Sequence, residues 1–305
     1  MILCVDIGGT SAKIACADSN GTLYDRNEFP TCIDEYRVPV LDVVCRGIRE
    51  WLGRTGRKIK GIGVSAMGQV DDRTGVVIGT NGNIPNYEGV HIREILEAQF
   101  HVPVHVLNDA TAAALGESFS GAAKGLKNAI MLTFGTGVGG GVIINGHVYG
   151  GARGIAGEFG HFTLDRNGPL CTCGRRGCFE TCASTTALVK KCKEATGHND
   201  LDGRAVFAAA AKHDPVITKI LEQWLDGIAD GISGLIHIFN PEVVLIGGGV
   251  SAQEELMIRP LDKKIRERTM RCFAEKLNIR GAKLGNDAGL IGAARYWMDC
   301  MEERD

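Results

Sequence analysis

The sequence lacks several features that would each have indicated a specialised class of protein. No apolar run reaches the roughly 20 residues that a membrane-spanning helix needs. Residues 1–10 have no basic region before their apolar run, so they do not resemble a secretion signal. A net charge of −2 gives no support for a nucleic-acid partner. We therefore expect a soluble cytoplasmic protein with no nucleic acid and no membrane among its partners.

Two further absences narrow the chemistry. The 11 cysteines are an odd number and, outside 171–178, are irregularly spaced, which fits buried or free thiols in a reducing compartment better than a disulfide framework. The phosphate-binding pattern GxxxxGK[ST] does not occur. Gly135, Gly137 and Gly140 match the GxGxxG dinucleotide pattern, but they lead into a β-hairpin and not into a helix. We therefore reject a Rossmann fold.

The chain contains one structural unit twice. Each copy has an apolar strand, a Gly/Thr turn, a second strand, an Asn-Gly turn and a third strand. The first copy begins with Ile2–Ile7 and the second with Ala129–Phe134. A chain of 305 residues is too long for one compact core, so we predict two related α/β domains that face each other across a cleft. We place one domain at 1–112 with a closing helix at 290–305, and the other at 113–289.

Glycine-rich turns follow three of the predicted strands. Such turns let backbone N–H groups approach an anionic or flat ligand closely, and a nearby lysine adds positive charge. The candidate phosphate-binding and nucleotide-binding residues are Asp6, Gly8, Gly9, Thr10 and Lys13 in the first repeat, Thr133, Gly135, Thr136 and Gly137 in the second, and Gly248 and Gly249 in the third turn.

The stretch from Glu158 to Glu180 contains one histidine and three cysteines that are suitable zinc ligands. They are His161, Cys171, Cys173 and Cys178. Zinc takes four such ligands in a tetrahedron, and a site closed by four protein ligands is structural. The loop between the ligands is rich in Gly and Arg and has little apolar content, so a metal would give it order. Unligated thiols and a disulfide are the alternatives.

An Asn-Asp pair follows the predicted strand Val102–Leu107 and precedes an alanine-rich helix that opens at Thr111. The ends of strands in open α/β sheets are where ligands bind, so Asp109 is a candidate general base. On this segment alone, an aspartate before a helix is more commonly an N-cap.

These motifs resemble those of the ROK family (repressors, open reading frames and kinases). The matching segments are Asp6-Ile-Gly-Gly-Thr10, Asn108-Asp109, Thr133–Gly141, Glu158-x-Gly-His161, Cys171-x-Cys-Gly-x-x-Gly-Cys178-x-Glu180 and Asn286-Asp-Ala-Gly-Leu-Ile-Gly-Ala293. The resemblance covers essentially the whole chain. It implies an actin-like, hexokinase-like (ribonuclease H-like) ATPase fold with two α/β domains, a sugar in the cleft, and a homodimer.

The resemblance also implies ATP-dependent phosphorylation of a hexose. Asp109 is the expected base, Asp6 is expected to position Mg²⁺ through water, and the zinc is structural. The expected sugar-binding residues are Gly68, Asn83, Asn108, Asp109, Glu158, His161 and Glu180. One ring nitrogen of His161 is expected on zinc and the other toward the sugar. Because the nucleotide turns lie elsewhere in the chain, losing zinc should weaken sugar binding and leave ATP affinity nearly unchanged.

Glucose, phosphorylated on its 6-hydroxyl, is the first substrate expected, followed by N-acetylmannosamine and then by fructose or another hexose. Ala66-Met67-Gly68-Gln69 stands where many glucokinase-like members have Pro-Gly-Pro, so this segment leaves the exact sugar open. Regulators of the family carry a DNA-binding segment ahead of the first strand. That strand begins here at Ile2, so we expect a kinase. A silent sugar sensor should lack Asp109 or a phosphate turn, and this chain has both.

Overall fold

The computed structural model describes residues 1–80 and 84–302, which alternate strands and helices. The strands are β1 (Ile2–Ile7), β2 (Ser11–Ala17), β3 (Leu23–Pro30), β4 (Gly61–Ala66), β5 (Gln69–Asp71), β6 (Val76–Gly79), β7 (Val104–Asn108), β8 (Ala129–Phe134), β9 (Val138–Ile144), β10 (His147–Val148), β11 (Val243–Gly247) and β12 (Asn278–Gly281). The helices are α1 (Val40–Thr55), α2 (Ile92–Phe100), α3 (Asp109–Ser120), α4 (Glu180–Ala183), α5 (Thr185–Thr196), α6 (Gly203–Ala211), α7 (Pro215–Phe239), α8 (Arg259–Arg268), α9 (Arg271–Ala274) and α10 (Ala288–Glu302). None of the helices in these described ranges combines the length and apolar character that crossing a membrane requires.

The chain forms two compact units. The first contains Met1–Gly125, Gly141–Gly157 and Asn286–Asp305, and the second contains Leu126–Gly140 and Glu158–Gly285. The two large sheets have five strands each, in the orders β3-β2-β1-β4-β7 and β10-β9-β8-β11-β12. The domain limits expected from the sequence, with one domain ending at 112 and closing at 290–305, stay a prediction.

Both large sheets contain the repeated unit seen in the sequence. In the first sheet, β1 lies between β2, to which it is antiparallel, and β4, to which it is parallel. In the second sheet, β8 likewise lies between β9 and β11, and it is parallel to β11. The second Asn-Gly pair makes the expected two-residue turn, with Asn145 at φ 56° and Gly146 at φ 85°. The first pair lies in a longer loop, 18–22, because the Asp18 carboxylate accepts hydrogen bonds from the amides of Asn20 and Thr22.

Strand β1 is covered on both faces. Its odd-numbered side chains belong to a buried cluster with α1 and α2, and its first even-numbered side chains belong to a cluster with α10. Side chains alternate between the two faces of a strand, so Asp6 lies on the face that α10 covers. This alternation explains why the segment reads as a continuous apolar run that is interrupted by a single carboxylate.

Helix α10 packs against its neighbours at backbone distance. A Cβ atom added to Gly63 of β4 would overlap the carbonyl oxygen of Ala293, and one added to Gly292 would overlap that of Ala112 in α3. Only glycine allows main chains to approach this closely. The small residues in these three elements therefore fix the position of α10 over β4 and beside α3.

An aromatic cluster forms part of the core of the second unit. Phe179 is fully buried, stacks on Phe162 with ring centroids 5.0 Å apart, and meets Phe134 edge-on at 6.5 Å. Trp224 of α7 also contacts Phe134, at 6.3 Å, and its indole N–H donates to the carbonyl of Ala183. These contacts anchor the end of β8 and the end of α4 to the same helix.

The glycines of the helices provide a test of the packing around α10. Gly292→Ala should lower the free energy of unfolding, because overpacking a tight contact costs about 1–3 kcal/mol. Gly234→Ala is the matched control: this helical glycine of α7 is exposed, and an added Cβ would meet nothing within 4 Å. It should stabilise by roughly 0.5–1 kcal/mol. Urea denaturation of both variants measures the difference, and two shifts of the same sign would contradict this account.

Candidate active site and metal centre

The turn between β1 and β2 leaves two amides available to a ligand. The amide of Gly8 is used inside the turn, where it donates to the carbonyl of Ser11 at 3.0 Å. Among the described residues, the amides of Gly9 and Thr10 donate no hydrogen bond. Adjacent unpaired amides in a glycine turn form a concave, positively polarised surface that suits a phosphate group.

Asp6 lies next to this turn in a desolvated position. The pKa of Asp6 is raised, mainly because the carboxylate is removed from water. The Ser65 hydroxyl donates to Oδ1 of Asp6 at 2.6 Å. This hydrogen bond and the charge of Lys13 lower the pKa, but they offset the effect of burial only in part. Lys13 faces Asp6 across the β1–β2 pair, and Gly289 of α10 leaves no room for a Cβ beside either Asp6 or Ser65. A half-buried carboxylate beside this turn fits the one or two carboxylates through which Mg²⁺ is usually held while it keeps several of its waters.

Asn108 orients the candidate base. Its Oδ1 accepts from the amide of Thr111 at 3.1 Å, so Asn108, and not Asp109, is the N-cap of α3. Its Nδ2 donates at 2.9 Å to the carbonyl of Gly68 and at 2.9 Å to Oδ1 of Asp109. Asp109 is therefore not the N-cap of α3, because its neighbour Asn108 has that role. The exposed Asp109 carboxylate is held where β7 ends and α3 begins.

Two other residues border this position. Gly68 has a φ of 86°, and an added Cβ would lie 2.8 Å from the carbonyl of Gly79, so the turn before β5 requires glycine. The Tyr87 hydroxyl is buried, and burial together with the nearby charge of Asp109 raises the pKa of Tyr87. Asn83, which we predicted as a sugar ligand, lies outside the described residues.

The predicted zinc ligands come together as the sequence indicated. One ligand atom from each of His161, Cys171, Cys173 and Cys178 lies within 4.8 Å of the others. The Cys171 Sγ is 3.6 Å from Nδ1 of His161, and the sulfur atoms of Cys173 and Cys178 are 3.5 Å apart. Zinc with bonds of about 2.3 Å to sulfur separates tetrahedral ligands by about 3.8 Å, so this donor set fits the ion.

The backbone of the loop explains its glycines. Gly174 and Gly177 have positive φ values, 85° and 68°, and an added Cβ on Gly177 would overlap the carbonyl of Asp165. The amide of Gly174 donates to the carbonyl of Cys171 at 3.0 Å, which closes the turn between the first two cysteines. The backbone N–H of Arg175 lowers the pKa of Cys173, so that thiol is prepared for the thiolate form that a metal ligates.

The second ring nitrogen of His161 faces Glu158. The Nε2 atom lies 4.0 Å from Oε2 of Glu158, whereas Nδ1 points to the cysteines. Both residues belong to one short turn, in which the His161 amide donates to the Glu158 carbonyl at 3.1 Å. The arrangement leaves a nitrogen and a carboxylate side by side, which suits a pair of sugar hydroxyls.

Glu180 joins the metal loop to the second phosphate turn. Its Oε2 accepts from the amide of Val138 at 2.9 Å, and its Oε1 lies 4.0 Å from the Cys171 Sγ. A Cβ on Gly137 would overlap the same carboxylate. Glu180 therefore connects the metal loop with one of the nucleotide turns, so the expectation that ATP affinity is independent of the zinc stays a prediction that this contact argues against. The role of Glu180 toward sugar stays a prediction.

The second and third glycine turns lie beside each other in the second unit. Gly135 donates to the carbonyl of Gly137 at 3.0 Å and accepts from the amide of Thr186 at 3.4 Å. Gly248, at φ 84°, has no room for a Cβ because the backbone of Phe134 lies against it, whereas Gly249 is open on that side. The close contact of these two turns requires glycine at Gly248.

A cavity of about 270 Å³ lies along helix α5. Its lining consists of Thr186, Val189, Lys190, Lys193, Glu194 and Asn199. Thr186 is also the residue whose amide contacts Gly135, so the cavity adjoins a predicted phosphate turn.

The predicted site residues divide between the two units. The first unit holds Asp6, Gly8, Gly9, Thr10, Lys13, Gly68, Asn108 and Asp109. The second holds Thr133, Gly135, Thr136, Gly137, Glu158, His161, Cys171, Cys173, Cys178, Glu180, Gly248 and Gly249. Sequence reasoning missed four residues that support these sets, Thr31, Tyr36, Ser65 and Tyr87. Each of them acts through a contact distant in sequence, so no local pattern marks it.

Comparisons with known proteins agree on one family. The model of the ROK family matches residues 2–299. A glucokinase of Thermotoga maritima is 33% identical over 303 residues, which cover 95% of each chain. The crystal structure of a ROK family glucokinase from Streptomyces griseus, in complex with glucose and AMPPNP, is similar with a TM-score of 0.83 and 31% identity, and covers 97% of this chain and 98% of that one. The structure of a Listeria monocytogenes protein proposed to be an N-acetylmannosamine kinase is also similar, with a TM-score of 0.84 and 29% identity. The match covers 98% of both chains.

The cysteine cluster predicts the metal content of the protein. We expect about one zinc ion per chain, because four ligands close a tetrahedral structural site. Elemental analysis of protein purified without added zinc and without a metal-binding tag measures it. Cys171→Ser should lose the metal, and Cys272→Ser, an exposed cysteine outside the cluster, should retain it. Full activity in a metal-free preparation would contradict the assignment.

Proposed function

Since this chain belongs to the ROK family, we propose that it transfers the γ-phosphoryl group of ATP to the 6-hydroxyl of glucose. The chain is a sugar kinase, and its fold is the actin-like ATPase fold that the family resemblance implied. The observation that supports the proposed chemistry is the exposed carboxylate of Asp109, oriented by Asn108 at the end of a parallel strand.

The proposed base is Asp109. Phosphoryl transfer needs an acceptor hydroxyl, a group that orients it and takes its proton, and donors for the phosphate charge. A carboxylate within hydrogen-bond reach of a primary alcohol contributes typically 10²–10⁴-fold. Hydrogen bonds from the Asn108 side chain and from the amide of Ala110 to Oδ1 of Asp109 limit rotation of the carboxylate that is proposed to take the proton.

Each Gly/Thr hairpin turn offers backbone amides that suit a phosphate group of ATP. Gly9 and Thr10 offer theirs in the first unit, and Thr136 and Gly137 are the candidates in the second. Mg²⁺, when bound, would neutralise phosphate charge near the carboxylate of Asp6. The Ser65 hydroxyl would keep that carboxylate in one orientation toward the ion's water shell.

The sugar is proposed to lie against Glu158 and His161 in the second unit. A zinc ion held by four protein ligands has no open position, so it would give order to the loop without polarising phosphate. Ligation at Nδ1 would fix the proton of His161 on Nε2, which would then donate to a sugar hydroxyl while Glu158 accepts from another.

Glucose is preferred over N-acetylmannosamine because the glucokinases of Thermotoga maritima and Streptomyces griseus are 33% and 31% identical to this chain, whereas the Listeria monocytogenes relative is 29% identical. N-acetylmannosamine is the second candidate, since the Listeria monocytogenes relative matches with equal coverage. Fructose or another hexose is third. A coupled assay of ADP release with equal concentrations of hexoses and N-acetylhexosamines decides among them. The highest kcat/KM for glucose supports the proposal, and the highest value for an N-acetylhexosamine overturns it.

The homodimer and the cytoplasmic location expected from the sequence stay predictions. Sedimentation at several protein concentrations measures the oligomeric state. A single species with the mass of one chain, 32.6 kDa, would contradict the homodimer.

Removing the base should stop turnover while sugar still binds. Asp109→Asn keeps the shape and the hydrogen bond from Asn108 but has no basicity, so kcat should fall by about 10²–10⁴-fold. Steady-state kinetics with direct sugar titration separates the two effects. Glu94→Gln, an exposed change on α2, is the control and should be unaffected. Near-normal turnover of Asp109→Asn would remove the residue from its role.

Loss of the zinc loop should affect both substrates. Cys171→Ser should weaken sugar binding on the order of 10²-fold, because small misplacements near the reacting group have effects of that size. It should also weaken nucleotide binding, since Glu180 connects Cys171 to the amide of Val138. Calorimetric titration of glucose and of AMPPNP into Cys171→Ser and into the control Cys272→Ser measures both. Unchanged nucleotide affinity would show that the second turn holds its shape without the loop.

A further inference from the structure

The first phosphate turn has three carbonyl oxygens that all accept hydrogen bonds from one segment after β3. The Thr31 hydroxyl lies 2.9 Å from the carbonyl oxygen of Gly8 and 3.0 Å from that of Gly9. The Tyr36 hydroxyl donates to the same Gly9 carbonyl at 2.8 Å. The amide of Thr31 donates to the carbonyl of Thr10 at 3.0 Å. A turn that is predicted to bind anions through its amides thus has its carbonyls engaged inside the protein.

The two hydroxyls are built into the structure. Thr31 is fully buried, so its hydroxyl has no water to exchange with. The hydroxyl of Tyr36 lies beside Gly9 together with the side chains of Met67 and Ile84. A Cβ atom added to Gly9 would have all three of these side chains within 4 Å. Burial of a polar group is unfavourable unless its hydrogen bonds are made, so these contacts are specific.

The backbone between the two residues is also unusual. Asp34, Glu35 and Tyr36 have φ values of 50°, 56° and 63°, in the left-handed region that side-chain-bearing residues rarely adopt. Three such residues in a row persist only where surrounding contacts impose them. Here the left-handed turn brings the Tyr36 hydroxyl to the carbonyl of Gly9.

Peptide geometry connects these carbonyls to the ligand-facing amides. A trans peptide unit is planar, so its C=O and N–H point in opposite directions. The carbonyl of Gly8 shares a peptide unit with the amide of Gly9, and the carbonyl of Gly9 shares one with the amide of Thr10. Those are the two amides that donate no hydrogen bond among the described residues. Holding the two carbonyls inward therefore points both N–H groups outward.

Glycine makes this restraint necessary. Peptide units next to Gly8 and Gly9 can rotate easily, because glycine populates positive and negative φ about equally. A flipped unit would present a carbonyl oxygen, with its negative partial charge, to the phosphates. In the second turn, the carbonyls of Gly135 and Gly137 accept backbone amides, from Thr186 at 3.4 Å and from Gly135 at 3.0 Å, and no hydroxyl group among the described residues donates to them.

We propose that Thr31 and Tyr36 are positioning residues for the nucleotide: they hold two peptide units of the first turn so that the amides of Gly9 and Thr10 face the phosphates of ATP. This inference rests on the proposed phosphate-binding role of Gly8–Thr10. Neither side chain touches the substrate in this account. Each acts through the backbone of the turn, and Thr31 has the larger share because it holds both carbonyls.

Three variants separate this role from simple loop anchoring. Thr31→Val removes the hydroxyl with little change of shape and keeps the amide, Thr31→Ser restores the hydroxyl, and Tyr36→Phe removes one of the two donors to Gly9. Tyr24→Phe is the matched control on β3, where the exposed phenol donates to Asp18 and to no other described residue. Kinetics give the KM for ATP, the KM for sugar and kcat, and titration with AMPPNP gives the affinity without turnover.

The expected order of effects follows from the hydrogen bonds. Thr31→Val should raise the KM for ATP and the Kd for AMPPNP roughly 10-fold, because valine has no hydroxyl proton for the carbonyls of Gly8 and Gly9 to share. Tyr36→Phe should raise both by a few-fold, and Thr31→Ser and Tyr24→Phe should leave them near wild type. The KM for sugar should stay nearly constant in all four variants, since the turn has no proposed contact with the sugar.

The outcomes distinguish this inference from the function it rests on. An active wild-type enzyme whose ATP constants are unchanged in Thr31→Val and Tyr36→Phe overturns the inference and leaves the kinase proposal intact. Equal rises in both KM values overturn it as well, because they indicate a general loss of structure. If Thr31→Val does not fold, Tyr36→Phe compared with Tyr24→Phe decides. A wild-type protein that phosphorylates no sugar is instead the failure of the proposed function.

Discussion

The approach of α10 to β4 and α3 at backbone distance is the constraint on which the first unit depends. Gly63 and Gly292 allow the contact, and no side chain larger than hydrogen fits at either position without displacing main chain. Gly289, at the start of the same helix, covers the carboxylate of Asp6. Helix α3, which begins at Asp109, is held by the same contact. The candidate metal-associated carboxylate and the candidate base are thus both positioned by one helix from the end of the chain.

The second unit places ligand and nucleotide elements on a shared support. Phe179 and Glu180 are adjacent in sequence, one buried in the aromatic cluster beneath β8 and the other bonded to Val138 at the phosphate turn. Cys178 precedes them directly, so order in the metal loop and order in the turn have a common anchor. A structural ion here would therefore affect catalysis through positions and not through its own charge.

Local patterns in the sequence predicted much of the fold. The bounds of β1 and β8 agree with the apolar runs, because buried strands end where glycine turns begin. Strand β12 and helix α6 were not predicted, since one is a short polar edge strand and the other an alanine-rich segment without a clear period. Thr31 and Ser65 left no signal, because their importance comes from hydrogen bonds to Gly8 and Asp6, which are far away along the chain. Motif spacing identifies ligand-facing groups better than the residues that hold them.

The central claim is that this chain phosphorylates the 6-hydroxyl of glucose with ATP, and the position of the new ester tests it most directly. Purified protein, ATP and glucose would be incubated, and the product examined by phosphorus NMR with coupling to the sugar protons. The account predicts one new phosphate ester whose phosphorus couples to the two protons on carbon 6, formed together with an equal amount of ADP. An ester on another carbon, or ADP formed without any sugar phosphate, would contradict it.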